Sequence, residues 1–169
     1  EVEGTGEEVN PGVRRACEED VDALVELTLL AFVPVFKSFR ELLGPAVYSL
    51  IWPDWRKSQG EAVRTLCSDS SETAVLVAEM DGVPVGFAAY EVHRKNHSGE
   101  VLLIAVHPDY QRRGIGTLLN GRALDEMKEK GVRLAIVEAG GDSSHAPARR
   151  AYEKSGYVGL PLVRYFKNL

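Results

Sequence analysis

The sequence is short of the residues that mark several protein classes. Among its 169 positions are two cysteines, Cys17 and Cys67. They lie far apart and form no Cys-x-x-Cys pair, so neither a disulfide framework nor a zinc ribbon is signalled. His93, His97 and His107 fall in or beside turns at a spacing that makes no metal motif, and no metal is expected. No apolar run approaches the ~18 residues of a membrane span. No basic stretch followed by an apolar one opens the chain, so neither membrane attachment nor a signal peptide is read. With reduced cysteines, this gives a cytoplasmic expectation. Gly-x-x-x-x-Gly-Lys-Ser/Thr and the three-glycine dinucleotide turn are both missing, which excludes two common phosphate loops. Positive charge is in deficit, 20 Lys and Arg against 25 Asp and Glu for a net −5, which argues against a nucleic-acid partner. Repeats and low-complexity blocks are absent.

What is present describes one ordinary domain. A 44% hydrophobic and 27% charged composition is that of a water-soluble chain long enough for a sizeable core. Residues 1–12, rich in Glu and Gly, read as a flexible acidic lead-in, and 13–169 as the domain. Val13–Ala16 is a short strand candidate, followed by a helix capped by Asp20 with Val21, Leu24, Val25 and Phe32 on one face. From Pro34 to Cys67, Pro34, Gly44-Pro45, Pro53 and Gly60 break the pattern into helical pieces. These carry Phe36, Phe39, Tyr48, Trp52 and Trp55, expected mostly as core. Thr73–Met80 and Pro84–Val92 read as strands around an Asp81-Gly82 hairpin turn. After a polar turn at His93–Gly99, Gly99–Val106 is a third strand.

The next residues, Val106-His-Pro-Asp-Tyr-Gln-Arg-Arg-Gly-Ile-Gly116, turn that strand into a helix running from Gly114 to about Lys130. Ile115, Leu118, Leu119, Ala123 and Met127 form its apolar stripe, and Gly131 closes it. The first amides of a helix lack intrahelical partners and sit at the positive end of its dipole, which suits an anion. Gly114 and Gly116 permit close backbone approach, and Arg112 and Arg113 add donors and charge. Val132–Glu138 follows as a strand, Gly140–Ser144 as a loop and Pro147–Ser155 as a helix. Tyr157 opens an extended section with Arg164–Lys167 as a last strand. Hairpins first and β-α-β units after predict an α/β fold with a mixed, largely antiparallel sheet flanked by helices.

Two segments resemble a known family. Gln111-Arg112-Arg113-Gly114-Ile115-Gly116 is similar to the Gln/Arg-x-x-Gly-x-Gly/Ala signature of the GNAT superfamily of acetyl-CoA-dependent N-acyltransferases. His145-Ala-Pro-Ala-Arg-Arg-Ala-Tyr152-Glu-Lys-Ser-Gly156-Tyr157 resembles the family's later Asn-x-x-Ala-x-x-x-Tyr-x-x-x-Gly-Phe helix, with His145 where Asn is common and Tyr157 where Phe is common. The two stand in family order and spacing, and the likeness extends over about residues 74 to 159. The resemblance implies acetyl-CoA as cosubstrate and no metal. It implies that the loop Gln111, Arg112, Arg113, Gly114, Ile115 and Gly116 holds the pyrophosphate. Backbone at Ile104, Ala105 and Val106 would hold the pantetheine, and Tyr152 would protonate the departing thiolate.

Amide formation from a thioester also needs a neutral amine. An alkyl amine with pKa near ~10.4 is about one part in a thousand unprotonated at neutral pH, so a general base is expected. Glu100 is the first candidate, because some GNAT members place a Glu at this distance before the loop. Alternation would put it on one face with Leu102, Ile104 and Val106, apolar neighbours that favour a proton acceptor; a solvated strand-end residue is the plain alternative. Glu91 is the second candidate. His145 caps its helix or contacts coenzyme A. Arg149 and Arg150 reach toward the nucleotide or, more simply, lie on a solvated helix face. The acceptor is an unidentified amine of a small molecule or peptide, and a partial pocket among the aromatics would receive it. A protein or peptide acetyltransferase and a non-catalytic acyl-CoA-binding domain are the competing readings. A homodimer stays open.

Overall fold

The computed structural model describes residues 11–169, so most of the acidic lead-in lies outside the described residues. Five strands form a single sheet in the order β1-β2-β3-β4-β5. They are β1 (Gly12–Arg15), β2 (Ala74–Met80), β3 (Val83–His93), β4 (Ser98–Val106) and β5 (Leu134–Val137). The first four pair antiparallel in sequence order, and β5 lies parallel to β4. This is the mixed, largely antiparallel sheet that the hairpin and crossover patterns predict. Asp81 (φ 52°) and Gly82 (φ 76°) both take the left-handed conformation that a two-residue hairpin turn requires.

Helices α1 (Val21–Ile51) and α2 (Trp55–Leu66) cover one face of the sheet. There Leu24, Leu27 and Val63 pack with Val75, Val77, Phe87, Ala89 and Ala105. Helix α3 (Ile115–Glu129) covers the other face, where Ile115, Leu119, Ala123 and Met127 meet Leu76, Val85, Ala88, Tyr90 and Val101. Leu118, assigned to that stripe from spacing, is 41% exposed. Helix α4 (Ala146–Lys154) follows β5 and contacts α3.

Three local expectations are corrected. Helix α1 runs through Pro34 and breaks only at Gly44 (φ 73°, ψ 159°), just before Pro45. Pro34 removes one amide donor, but the carbonyl it would have served belongs to Leu30, on the exposed side of the helix within reach of water. Asp20 makes no side-chain cap on α1. Its carboxylate instead accepts from Arg14 Nη1 (2.7 Å), Arg14 Nη2 (2.9 Å) and the Cys17 amide (2.8 Å). The Arg14 guanidinium holds that carboxyl well below the usual range. Finally, no strand forms at Arg164–Lys167. From Val158 onward the chain has neither helix nor strand, and every residue is exposed.

Candidate functional site

Strands β4 and β5 pair over four residues only, Ser98–Val101 against Leu134–Val137. Beyond that point β5 ends while β4 continues to Val106, still bonded to β3 on its other side. The β4 edge from Leu102 to Val106 therefore faces a wedge with no strand partner among the described residues. Ile104, Ala105 and Val106, expected to offer backbone to a ligand, lie along this free edge.

At the end of the wedge the chain turns through Pro108–Tyr110 and the exposed residues 111 to 114 before α3 starts at Ile115. Arg112 (φ 62°) and Gly114 (φ 79°) both have left-handed backbone, and such alternation makes a concave row of amides suited to an anion. The Leu118 amide is the first to bond inside the helix, to Gly114 O at 2.9 Å. The amides of Ile115, Gly116 and Thr117 are thus without intrahelical partners at the positive helix end. Arg113 lies over the Tyr110 ring (5.2 Å). Gln111 Nε2 donates to Val106 O (3.0 Å) and ties the loop back to the end of β4.

The wedge is closed on the α1 side by a polar cluster at the loop between β5 and α4. The Asp142 carboxylate accepts from Ser38 Oγ of α1 (2.7 Å), from the Ser144 amide (3.1 Å) and from the Ser144 hydroxyl. His145 Nδ1 lies 2.6 Å from its other oxygen. Burial alone would raise this carboxyl, but the bonds from Ser144, Ser38 and His145 outweigh it and hold the group well below the ordinary range. His145 occupies the cap position of α4 but makes no capping bond. Its ring stacks instead on Phe39 (5.8 Å), which stacks on Trp52 (5.0 Å), beside the stacked pair Phe36 and Trp55 (4.2 Å). Phe36 is buried, while Phe39, Trp52 and Trp55 stay partly open. Arg149 Nη1 donates to the Gly140 and Asp142 carbonyls; Arg150 is exposed.

Tyr152 and Tyr157 flank the end of α4 with their rings edge to face at 5.7 Å. Burial, and then the neighbouring Tyr157, push the Tyr152 phenol up to about 12. Tyr157 Oη donates to Asn120 Oδ1 of α3 (3.2 Å), so both motif helices are joined across the wedge.

Glu100 sits one residue short of the divergence, paired with Ile136 of β5 on one side and Glu91 of β3 on the other. Its expected face is wrong. Ala89 pairs with Leu103 and Tyr90 with Val101, so Leu102 is an extra residue that shifts the alternation. Glu100 consequently shares the α1 and α2 face with Leu103 and Ala105, while Ile104 and Val106 pack toward α3. A second carboxylate, that of Glu91, stands beside Glu100 across the strand pair. His93 Nε2 lies 3.0 Å from Glu91 Oε1, and a carboxylate oxygen of Glu91, a ring nitrogen of His93 and a carboxylate oxygen of Glu100 all fall within 4.8 Å of one another.

The model of the acetyltransferase (GNAT) family matches residues 44–157. The chain belongs to the GNAT acetyltransferase family. Mycothiol acetyltransferase of Streptomyces coelicolor is 33% identical over 82 residues, covering 48% of this chain and 26% of that protein. An uncharacterised N-acetyltransferase of Methanocaldococcus jannaschii is 27% identical over 157 residues, covering 90% of this chain and 62% of its own length. The chain thus spans about a quarter of the first relative and under two thirds of the second. The fold is also that of the PaiA N-acetyltransferase of Thermoplasma acidophilum, solved in complex with coenzyme A, at TM-score 0.66 and 18% identity over 86% of this chain and 87% of that one. GNAT motif positions Gln111 to Gly116 and His145 to Tyr157 flank the wedge. Asp142, Ser38 and Asn120 lie outside those motifs, and only Asn120 left a trace in the sequence, as a carboxamide set beside an apolar helical stripe.

Proposed function

We propose that this GNAT chain is an N-acetyltransferase that moves an acetyl group from acetyl-CoA to a primary amine of a small molecule or peptide by direct attack on the thioester. The observation that carries this reading is the divergence of β4 from β5, which leads straight to the helix start of α3, whose first amides lack intrahelical partners. An extended ligand with amide groups fits the free β4 edge, and a terminal pyrophosphate fits the amide row. Arg112 and Arg113 would add charge to the pyrophosphate, while the backbone of Ile104, Ala105 and Val106 would bind the pantetheine. His145, its Nδ1 committed to Asp142, would turn Nε2 toward the ligand.

Acetyl-CoA supplies an acyl group already activated as a thioester. The chain's own part is to manage protons and exclude water. Glu100 accepts the proton that the amine sheds as its nitrogen bonds to the acetyl carbon. Tyr152 would donate to the sulfur as the carbon–sulfur bond breaks. A phenol at about 12 keeps its proton at neutral pH, and outright transfer to a thiolate of ordinary pKa near ~8.5 would run uphill. Tyr152 therefore acts first as a hydrogen-bond donor to the sulfur, and burial that raises the thiol as well brings the two closer.

Retention of Tyr152 and Glu100 favours an enzyme over a binding-only domain. The partly open Phe39, Trp52 and Trp55 on the α1 side favour an acceptor with an apolar body. A panel of amines and peptides mixed with acetyl-CoA, followed by release of free thiol, tests the reading. Amine-dependent thiol release is expected. Coenzyme A binding without any such release would instead identify a non-catalytic acyl-CoA-binding domain.

A further inference from the structure

Tyr157, the last residue of the second motif, is held on two sides. Its amide donates to Tyr152 O (3.1 Å) and its hydroxyl to Asn120 Oδ1 (3.2 Å). One residue later the chain runs free. Val158, Leu160, Leu162, Val163, Tyr165 and Leu169 are each between 74% and 105% exposed. A run so apolar and so open marks an interaction surface. Its start has the pattern of a strand. Large apolar side chains recur at every second residue, Val158, Leu160 and Leu162, with Gly159 and Pro161 between them. Pro161 has no N–H, so the edge that would carry its amide cannot pair fully. The opposite edge keeps the amides of Val158, Leu160 and Leu162. The segment therefore suits a strand with one neighbour, at the margin of a sheet.

A margin of the matching kind lies in the same chain. β5 ends the sheet order and, among the described residues, pairs with β4 alone. Ala135 and Val137 pack toward α3. By alternation Leu134 and Ile136 face the other side, where they stay 59% and 38% exposed. β5 carries no charged side chain, so its edge lacks a common guard against pairing. The opposite margin, β1, has that guard in Arg14 and Arg15, which are paired with Asp20, Glu79 and Glu126. Charge adds a direction. Residues 158–169 hold Arg164 and Lys167 and no acidic side chain, in a chain of net −5, so the tail is attracted to the body of another copy. Within one chain the tail runs free and the β5 edge stays open; exchange between two copies satisfies both.

We infer that residues 158–163 add as a strand to the outer edge of β5 in a second copy of this chain, and that two copies exchange these tails reciprocally. The amides of Val158, Leu160 and Leu162 bond to the β5 edge, and their side chains share one face of the extended sheet. Main-chain hydrogen bonds supply affinity and the alternate side chains supply register. The same two surfaces are used twice about a two-fold axis, so the assembly closes at a dimer.

Light scattering measures the mass of the full 169-residue chain across micromolar concentrations, beside that of the double variant Leu160→Lys/Leu162→Lys. Both leucines are 80% exposed in the single chain, so the variant should still fold. The full chain should be a dimer. The variant should have a dimer dissociation constant at least about a hundredfold higher, because reciprocal exchange counts each substitution twice. A second measurement identifies the strand that is paired. Cys17→Ser and Cys67→Ala remove the native thiols, and Ile136→Cys and Leu160→Cys place one thiol on each surface. Mild oxidation should then link two chains into a covalent dimer on a denaturing gel. A bond formed within one chain would overturn the inference and return the tail to its own sheet. Absence of any link would overturn the strand pairing. A monomeric full chain would overturn the exchange, and a dimer indifferent to the lysines would move the interface elsewhere and overturn it too.

Discussion

The carboxylate of Asp142 and Nδ1 of His145 lie 2.6 Å apart, and through Ser38 the same carboxylate fastens α1 to the loop before α4. One buried group thus fixes the ring that stands in the family's Asn position and the aromatic row beside it. Because the folded Asp142 carboxyl is held below its unfolded value, its contribution is complete above pH of about 4 and is lost as pH falls below that. Asp142→Asn removes one acceptor and turns an N–H₂ toward donors. It should cost about 2 kcal/mol at neutral pH. Urea denaturation of both proteins across pH checks this. The difference should shrink in acid; a gap independent of pH would mean that the charge of Asp142 is not what stabilises the cluster.

Glu100 and Glu91 stand directly opposite on neighbouring strands, a like-charge pair that costs stability when both are ionised. Glu100→Gln should therefore leave melting unchanged or raise it slightly while lowering turnover about 10²–10⁴-fold. The ascending limb of the wild-type pH–rate profile should disappear in the variant. A variant that keeps the limb would transfer the role to Glu91, and Glu91→Gln would then be the protein to measure.

Tyr152→Phe should keep the ring packing against Tyr157 and reduce turnover with little change in coenzyme A affinity. Since burial and Tyr157 place the phenol at about 12, a fall in wild-type rate below pH of about 11 would belong to another group, and the Phe variant should show the same descending limb. Loss of that limb in the variant would show that Tyr152 titrates lower in the complex than in the free protein.

The parts of this fold that could be read from sequence are those governed by local rules. The β4–loop–α3 unit followed from apolar spacing, two glycines and the missing intrahelical partners of a helix start. The face of Glu100 did not, because one extra residue at Leu102 reverses alternation, and nothing in the run Val101–Val106 announces it. Asp142 shows in the sequence only as part of a loop, since its meaning depends on Ser38, 104 positions away. Asp20 has the sequence position of a cap because it precedes a helix, yet the stronger attraction of Arg14 claims its carboxylate. The expected strand at Arg164–Lys167 carries two adjacent strand-favouring aromatics, Tyr165 and Phe166, but among the described residues nothing pairs with it.

If the first amides of α3 hold the pyrophosphate of coenzyme A, Gly116→Asp should reveal it with little structural disturbance. Gly116 does not have positive φ, and an added Cβ would meet Val106 at an ordinary 3.9 Å. A carboxylate in the first turn of a helix is favourable for the free protein, so the variant should melt no lower than wild type. The same carboxylate would stand against a bound pyrophosphate. Titration calorimetry of both proteins with coenzyme A should show one site in the wild type and an affinity at least about tenfold weaker in the variant. Equal affinities would contradict the account and remove the loop from the binding site.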